Sequence, residues 1–310
     1  MSAPVEARDV ASERARLGLG AAPFVLWGAW LISRGDVRWE VLALMALAPS
    51  LVLVSDTSRR LFRALLPVGL VALLYDAMRL VKHVGVTVER VHVCDLRAIE
   101  MSLFSVTVDG RAGTVHDWIQ LHPSRLFDAL FAVPYGTYIY SVLAMAVFLY
   151  PRDFERMQRF TWTFLALNVA GFITYKVYPA APPWYFHTHG CAVDLSTTPS
   201  EGPSLARVDQ MLGFPYFHGL YGRSSNVFGA VPSLHVTYPS LLALEGWKHL
   251  RLPLRALAAT YAALMIVGAV YLDHHWIVDV LLGLAYTLVI RALVVRIFAW
   301  QRARRPRATA

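Results

Sequence analysis

Gly229-Ala230-Val231-Pro232-Ser233-Leu234-His235, followed by an apolar stretch from Leu254 to Leu272 and then by Asp273-His274-His275-Trp276-Ile277-Val278-Asp279, decides how this chain is read. Two histidines and a carboxylate stand at the rims of what read as membrane helices, where an ionisable group is costly and by default functional. His275 and Asp279 are four residues apart, so on a helix they share a face. The carboxylate can then hold one imidazole nitrogen and leave the other free as a nucleophile. His235 follows a helix entry at Pro232-Ser233, whose N-terminal N–H groups can seat an anion. A nucleophile, an acid and an anion seat together point to phosphoryl transfer.

Outward from this stretch the chain stays apolar. It has 310 residues, 56% of them hydrophobic and 16% charged, with a mean hydropathy of +0.46. Those values exclude an ordinary soluble domain and predict an all-α polytopic membrane protein. Eight segments are candidate spans of about 20 residues, the first two short or broken by Pro and Gly. They run from Leu17 to Ser33, Trp39 to Val54, Leu61 to Val81, Leu126 to Tyr150, Phe160 to Tyr178, His235 to Trp247, Leu254 to Leu272 and Trp276 to Trp300. No short apolar core with a cleavage site follows the charged first residues, so the first helix is expected to stay in the protein.

The net charge of +8 comes from arginines lying between spans rather than from a nucleic-acid-binding face. Arg8, Arg14 and Arg16, then Arg59, Arg60 and Arg63, then Arg152, Arg156 and Arg159, then Lys248, Arg251 and Arg255, and finally the tail from Arg302 all fall on one side of an eight-span chain. The positive-inside rule makes that side cytoplasmic and puts the long segments Lys82 to Arg125 and Pro179 to Ala230, with the Asp273 to His275 turn, on the other. Cys94 and Cys191 are both on this outer side, where an oxidising compartment favours a bridge between them. Within the first long segment, Val84 to Val93 reads as extended and Thr114 to Ile119 as a short amphipathic helix on the membrane surface. The second is long enough that a function is expected, read here as a lid over a lipid headgroup.

Pro-Ser-Leu-His, followed some forty residues later by His-x-x-x-Asp, resembles the second and third motifs of the type 2 phosphatidic acid phosphatase (PAP2) superfamily. With Tyr175-Lys176-Val177-Tyr178-Pro179-Ala180-Ala181-Pro182-Pro183-Trp184-Tyr185 upstream, the strings are more similar to the inositol phosphorylceramide synthase branch. The resemblance implies a six-helix core, here residues 61–300, preceded by an N-terminal segment with two added helices (1–60) and followed by a basic tail (301–310). It implies His275 as the nucleophile that becomes phosphohistidine, Asp279 as its orienter and His235 as the acid on the leaving oxygen, with no metal or other cofactor. The partners implied are a phospholipid donor, a lipid alcohol acceptor such as ceramide and the bilayer itself. Only Lys82, Lys176 and Lys248 accompany the arginines, a composition that points to a GC-rich bacterial genome, and with the arginine clusters it sets the expectation of a bacterial inner membrane with the site facing the periplasm or exterior.

The chain departs from the phosphatase branch at its phosphate-binding arginines. Lys176 is present, but Pro183-Trp184 stand where Arg-Pro would be, Gly268-Ala269 where Ser-Arg would be, and Leu234 replaces a glycine. Lys176, Ser233 and Arg223 are therefore the candidate phosphate-binding residues, Arg223 as the replacement cation, and Trp184 and Tyr185 the candidate lipid or lid residues. His274, on a different helix face from His275, reads as a rim histidine. His187-x-His189-x-Cys191 could bind zinc but has unusual spacing and reads better as a solvated loop. The alternatives are a lipid phosphate or pyrophosphate phosphatase using water, a metal-dependent hydrolase with His235, His275 and Asp279 as ligands, and a proton-coupled transporter with a buried His/Asp relay.

Overall fold

The computed structural model describes residues 5–36, 38–222 and 227–304. Three helices come first: α1 (Val5–Ser33), α2 (Trp39–Leu53) and α3 (Asp56–Leu80). An outer segment follows with α4 (Cys94–Phe104), a hairpin of β1 (Val106–Val108) and β2 (Arg111–Gly113), and α5 (Val115–Leu121). Next come α6 (Arg125–Leu149) and α7 (Phe154–Val177), and then a second outer segment holding α8 (Pro183–His189), α9 (Pro203–Leu212) and α10 (Tyr216–Tyr221). The chain ends with α11 (Leu234–Gly246), α12 (Leu252–Tyr271) and α13 (Ile277–Ala303).

Each of the eight predicted spans overlaps one helix. Among the described residues, five helices are long and apolar enough to cross a membrane: α1 from Ser12, α3, α6, α12 and α13. Of the other three, α2 has 15 residues and α11 has 13, while α7 has 24 but opens on a charged turn capped by Asp153. The polarity is turned inside out, as a lipid solvent requires: Leu126, Val147 and Leu288 are exposed while Thr163, Asn168 and Thr287 are buried. Asn168 and Thr287 turn their buried side chains back onto the carbonyls of Phe164 and Gly283, four residues upstream, so no donor is stranded there.

Helix α11 packs against α6, α7, α12 and α13, so its N-terminus is placed from all sides. Against α13 the backbones nearly touch, for a Cβ added at Gly283 would lie 2.6 Å from the Ser233 carbonyl oxygen. Ser233 N–H donates to the Asp279 carbonyl at 3.1 Å across the same contact. At the other end of α11, the buried Glu245 carboxylate pairs with Arg159 of α7 at 3.1 Å and Arg291 of α13 at 2.6 Å. Removing one partner from such a group leaves an unmatched charge, so the three helices are locked at that end. Helices α1 and α2 instead form a separate apolar cluster on α3, with Leu17, Phe24, Val52 and Phe62 at its centre.

The outer segments are more structured than their composition predicts. The extended piece expected over Val84 to Val93 narrows to His92, the rest being turns and irregular backbone. The surface helix expected near Thr114 is α5, with Thr114 accepting from Asp117 N–H and the Asp117 carboxylate accepting from Thr114 N–H. Cys94 and Cys191 are bridged, their Cα atoms 5.5 Å apart, which ties the start of α4 to the chain just after α8.

Candidate active site

His275 lies in the turn between α12 and α13, folded back so that the N–H groups of His274 and His275 both donate to the Ala269 carbonyl, at 3.2 and 3.0 Å. Its Nδ1–H donates to the Ala230 carbonyl at 2.9 Å, and since a carbonyl can only accept, the lone pair is left on Nε2. Burial pushes this imidazole down to about 3 against the help of the Ala230 bond, so the ring is neutral. The Ala230 carbonyl is itself held by three extended segments lying side by side. Ala230 N–H donates to the Ala180 carbonyl at 3.0 Å and Ala180 N–H to Phe228, while Ala181 N–H donates to His92 and His92 N–H to Pro179. Trp276, fully buried, fastens its indole N–H to the Ala181 carbonyl at 2.9 Å.

The free Nε2 of His275 faces Nδ1 of His235 at 2.9 Å, and Nε2 of His235 meets the Tyr221 hydroxyl at 2.8 Å. With the first tautomer fixed the rest follows: Tyr221 O–H donates to His235, and His235 Nδ1–H donates to His275. The ring of Tyr135 stacks on His235 at 4.8 Å between centroids, which holds its plane. The histidine pair lies on the wall of a mainly apolar cavity of about 360 Å³ whose lining includes Met78, Ile139 and Phe172. Leu234 and His235, the first two residues of α11, both line it. In the first turn of a helix the N–H groups have no intrahelical partner and carry the positive end of the dipole.

Asp279 does not share a helical face with His275, because α13 begins at Ile277 and His275 precedes it. The carboxylate is at the third position of α13, where Oδ2 accepts from Trp276 N–H at 2.9 Å and lies 3.7 Å from His275 Nδ1. Its Oδ1 is buried with no partner among the described residues. Lys176 is not brought to the cavity: its Nζ reaches back to the Val81 and Lys82 carbonyls at 2.6 and 3.1 Å, closing the end of α3. The Ser233 hydroxyl caps α11 by accepting from Val236 N–H at 3.4 Å. Trp184 lines the cavity, whereas Tyr185 turns away and binds the Ala192 carbonyl and Asp194 N–H. Arg223 lies outside the described residues, between Tyr221 and Val227, which both line the cavity.

Behind the turn runs a chain of paired charges that links it to the outer helices. Asp273, a non-glycine residue at φ 64°, accepts from His116 at 3.0 Å and His187 at 2.6 Å, and its backbone carbonyl accepts from Trp184 N–H at 2.9 Å. His187 also donates to Asp117 at 3.0 Å, and Asp117 is gripped by both terminal nitrogens of Arg97. Burial opposes charge on Asp273, but the two histidines outweigh it and hold the carboxyl below its usual range. Burial likewise works against a His187 imidazolium, and the two carboxylates more than reverse it. With His187 so engaged and Cys191 in the disulfide, the His-x-His-x-Cys string is not a zinc site.

A family model described as PAP2 superfamily matches residues 105–293, more than half of the chain and all of the residues just described from α5 to α13. The chain belongs to the PAP2 superfamily. The phosphoinositol dihydroceramide synthase of Bacteroides thetaiotaomicron is 33% identical over 257 residues, covering 82% of this chain and 83% of that one. The inositol phosphorylceramide synthase of Candida albicans is 31% identical over 169 residues, 53% of this chain and 35% of the relative. The catalytic subunit of the Saccharomyces cerevisiae inositol phosphorylceramide synthase is 34% identical over 127 residues, 40% of this chain and 31% of the relative. No solved structure matches.

Several groups in this PAP2 site have no side-chain signature in the sequence. The Ala230 carbonyl is one, since any residue there carries it. Glu100 is another: buried on α4, it accepts from Val278 N–H at 2.9 Å and so caps α13 from a segment read only as loop. Tyr221 adjoins Arg223 in a run that was legible, but its bond to His235 crosses from α10 to α11. Asp273 stands inside the motif, and only the folded turn reveals it as the anchor of His116 and His187.

Proposed function

We propose that this PAP2 protein is a phosphotransferase of the inositol phosphorylceramide synthase type. It moves phosphoinositol or a similar phospho-headgroup from a glycerophospholipid to the hydroxyl of ceramide or another lipid alcohol. The observation that carries the reading is the 2.9 Å approach of His275 Nε2 to His235 Nδ1 on the wall of an apolar cavity. That line is an in-line axis: a phosphorus entering between the two rings has a nucleophile on one side and a proton donor on the other. Attack needs the reacting atoms roughly 3–3.5 Å apart, so the substrate must first part the two rings.

His275 Nε2 attacks phosphorus while the bond to the diacylglycerol oxygen breaks. His235 acts as an imidazolium whose charge is matched by the phosphodiester, with Nδ1–H on the leaving oxygen and Nε2–H turned to the Tyr221 oxygen. It gives up the Nδ1 proton and is left neutral. The incoming lipid hydroxyl then returns a proton to Nδ1 as its oxygen attacks phosphorus and the N–P bond breaks. Leu234 and His235 N–H groups, with Arg223, seat the phosphoryl oxygens. We assign no metal, a choice supported by the absence of any carboxylate among the described residues lining the cavity. Residues 61–300 are assigned as the catalytic core and 1–60 as an addition, in keeping with the separate cluster of α1 and α2.

The test is an assay of purified enzyme with a phosphoinositol donor, with and without ceramide, in the presence of chelator. Diacylglycerol and a new phosphoinositol lipid should appear together in equal amounts, and a chain starting at Asp56 should retain the reaction. Headgroup phosphate released to water equally fast with and without ceramide, and no new lipid, would make it a phosphatase.

We further propose that the site faces the periplasm or exterior of a bacterial inner membrane, supported by the arginine distribution and by the disulfide across the two outer segments. A membrane-impermeant thiol reagent applied to reduced intact cells should label Cys94 and Cys191. Labelling only after lysis reverses the orientation.

A further inference from the structure

His274 follows Asp273 and precedes the nucleophile, yet its ring is used by nothing described above. Its Nδ1–H donates to the Leu272 carbonyl at 2.8 Å, which fixes the tautomer and leaves the lone pair on Nε2. That atom is buried and has no partner among the described residues, and the residue, 7% exposed, lines the same cavity as His275. A buried acceptor without a partner is costly, and such a group in a native protein calls for an explanation, a functional role among them. The ring is also held in place. Tyr135 and Tyr221 pack on it with centroids 5.5 Å away, and a Cβ at Gly202 would lie 3.1 Å from its Cε1.

The chemistry of the missing partner is narrow. Burial pushes the ring down to about 4, only partly offset by the Leu272 bond, so Nε2 is an acceptor at neutral pH. A phosphodiester oxygen has no proton to give it, so it is not a phosphate contact. The partner must bring an O–H or N–H. Its position selects the source: Gly202 of the outer segment lies against both His274 and Trp184, and Trp184 shares the cavity lining with Met78, Ile139 and Phe172 of the bundle. A polar headgroup belongs with the outer segment and lipid chains with the bundle.

We propose that His274 Nε2 is a hydroxyl-accepting subsite that holds a ring hydroxyl of the donor's polyol headgroup. The inference rests on the transfer reaction proposed above and names what keeps the headgroup in register. The diacylglycerol leaves after the first displacement, but the headgroup stays on His275 until the second, and a fixed hydroxyl stops it rotating about the N–P bond. His274 thus sets specificity and touches substrate.

The experiment uses the full-length enzyme in phosphatidylcholine vesicles, with His274→Leu, which removes the acceptor, and His274→Gln, which offers an amide oxygen. Donors are the phosphoinositol lipid, a series each lacking one ring hydroxyl, and the ethanolamine analogue. For wild type, loss of one particular hydroxyl should lower kcat/KM about tenfold, the size of one hydrogen bond. His274→Leu should lose at least that factor on the full polyol and no longer discriminate that one deoxy donor, with partial recovery in His274→Gln. An equal loss on every donor would make the residue merely structural. A rise in KM for ceramide alone would make the seat one for the acceptor hydroxyl, and an equal loss on the ethanolamine donor would refute the hydroxyl class. Calorimetric titration with glycerophosphoinositol separates the two readings. If wild type turns over no polyol donor the transfer reading fails, and equal affinity of wild type and His274→Leu for this soluble probe then overturns the subsite as well.

Discussion

Purified His275→Ala is expected to form no detectable transfer product and to retain no headgroup label when rapidly quenched with donor alone. The loss should be at least about ten-thousandfold, since removing the nucleophile of a covalent mechanism removes the pathway rather than one stabilising contact. Quenched wild type should carry the labelled headgroup on the protein through an acid-labile, base-stable N–P bond mapping to residue 275. The substitution should leave the fold standing. His275 packs at the end of a turn whose shape is set by backbone bonds to Ala269, and the residues its side chain meets, Ala230, His235 and Asp279, are each held by further bonds to Ala180, Tyr221 and Trp276. A melting curve close to wild type is part of the expected result. Label mapping to His274 would move the nucleophile by one residue, and turnover by His275→Ala would end the assignment.

Asp279→Asn is expected to lower kcat by about 10²- to 10³-fold without changing the tautomer of His275. A ring phosphorylated on Nε2 that keeps its Nδ1–H is a cation, and the Asp279 carboxylate lies 3.7 Å from Nδ1. At an effective dielectric constant of about 20 that pair is worth roughly 4 kcal/mol at most, and the intermediate loses most of it in the amide. In a serine-protease triad the same change costs about 10⁴ because the tautomer is lost too. Here the Ala230 carbonyl keeps the proton on Nδ1 whatever stands at 279. The asparagine oxygen can still accept from Trp276 N–H, so the entry to α13 survives. Kinetics combined with ¹⁵N shifts of the labelled histidines check both halves. A loss of 10⁴ or more, with the proton moved off Nδ1, would restore Asp279 as the sole orienter.

The long apolar runs made the membrane helices readable, and their errors lie where polar caps extend them. α7 was expected from Phe160 and begins at Phe154, because Asp153 caps a charged first turn that no hydropathy window admits. The small helices α4, α8, α9 and α10 have no signature in the sequence pattern. Each is short, bounded by Pro, Gly or Cys, and held by contacts with other parts of the chain. In the site, His235 and His275 were legible because their residue types and flanking motifs are restrictive. The four-residue spacing of His275 and Asp279 implies a shared helical face, which the turn before α13 denies. Lys176 sat at the expected motif position, and nothing in its neighbourhood along the chain reveals the carbonyls of Val81 and Lys82 that occupy it.

The small ladder joining His92, Ala180 and Gly229 makes the orientation of the His275 ring a property of the chain's path rather than of any side chain. The accepting carbonyl cannot be erased by a codon change, because every amino acid carries one, and only proline would delete a ladder N–H. What drift can do is crowd it: Ala180, Ala181 and Ala230 are at most 2% exposed, and a bulkier residue at any of them would push the three segments apart. The evolutionary constraint at these positions is therefore on volume and not on chemistry. Variants there should fail by loss of register, as gradually as the added side chain is large, while those at His275 fail outright. An amide-to-ester replacement between Pro179 and Ala180, deleting one ladder N–H while leaving every side chain intact, is the perturbation that reaches this part of the machinery directly.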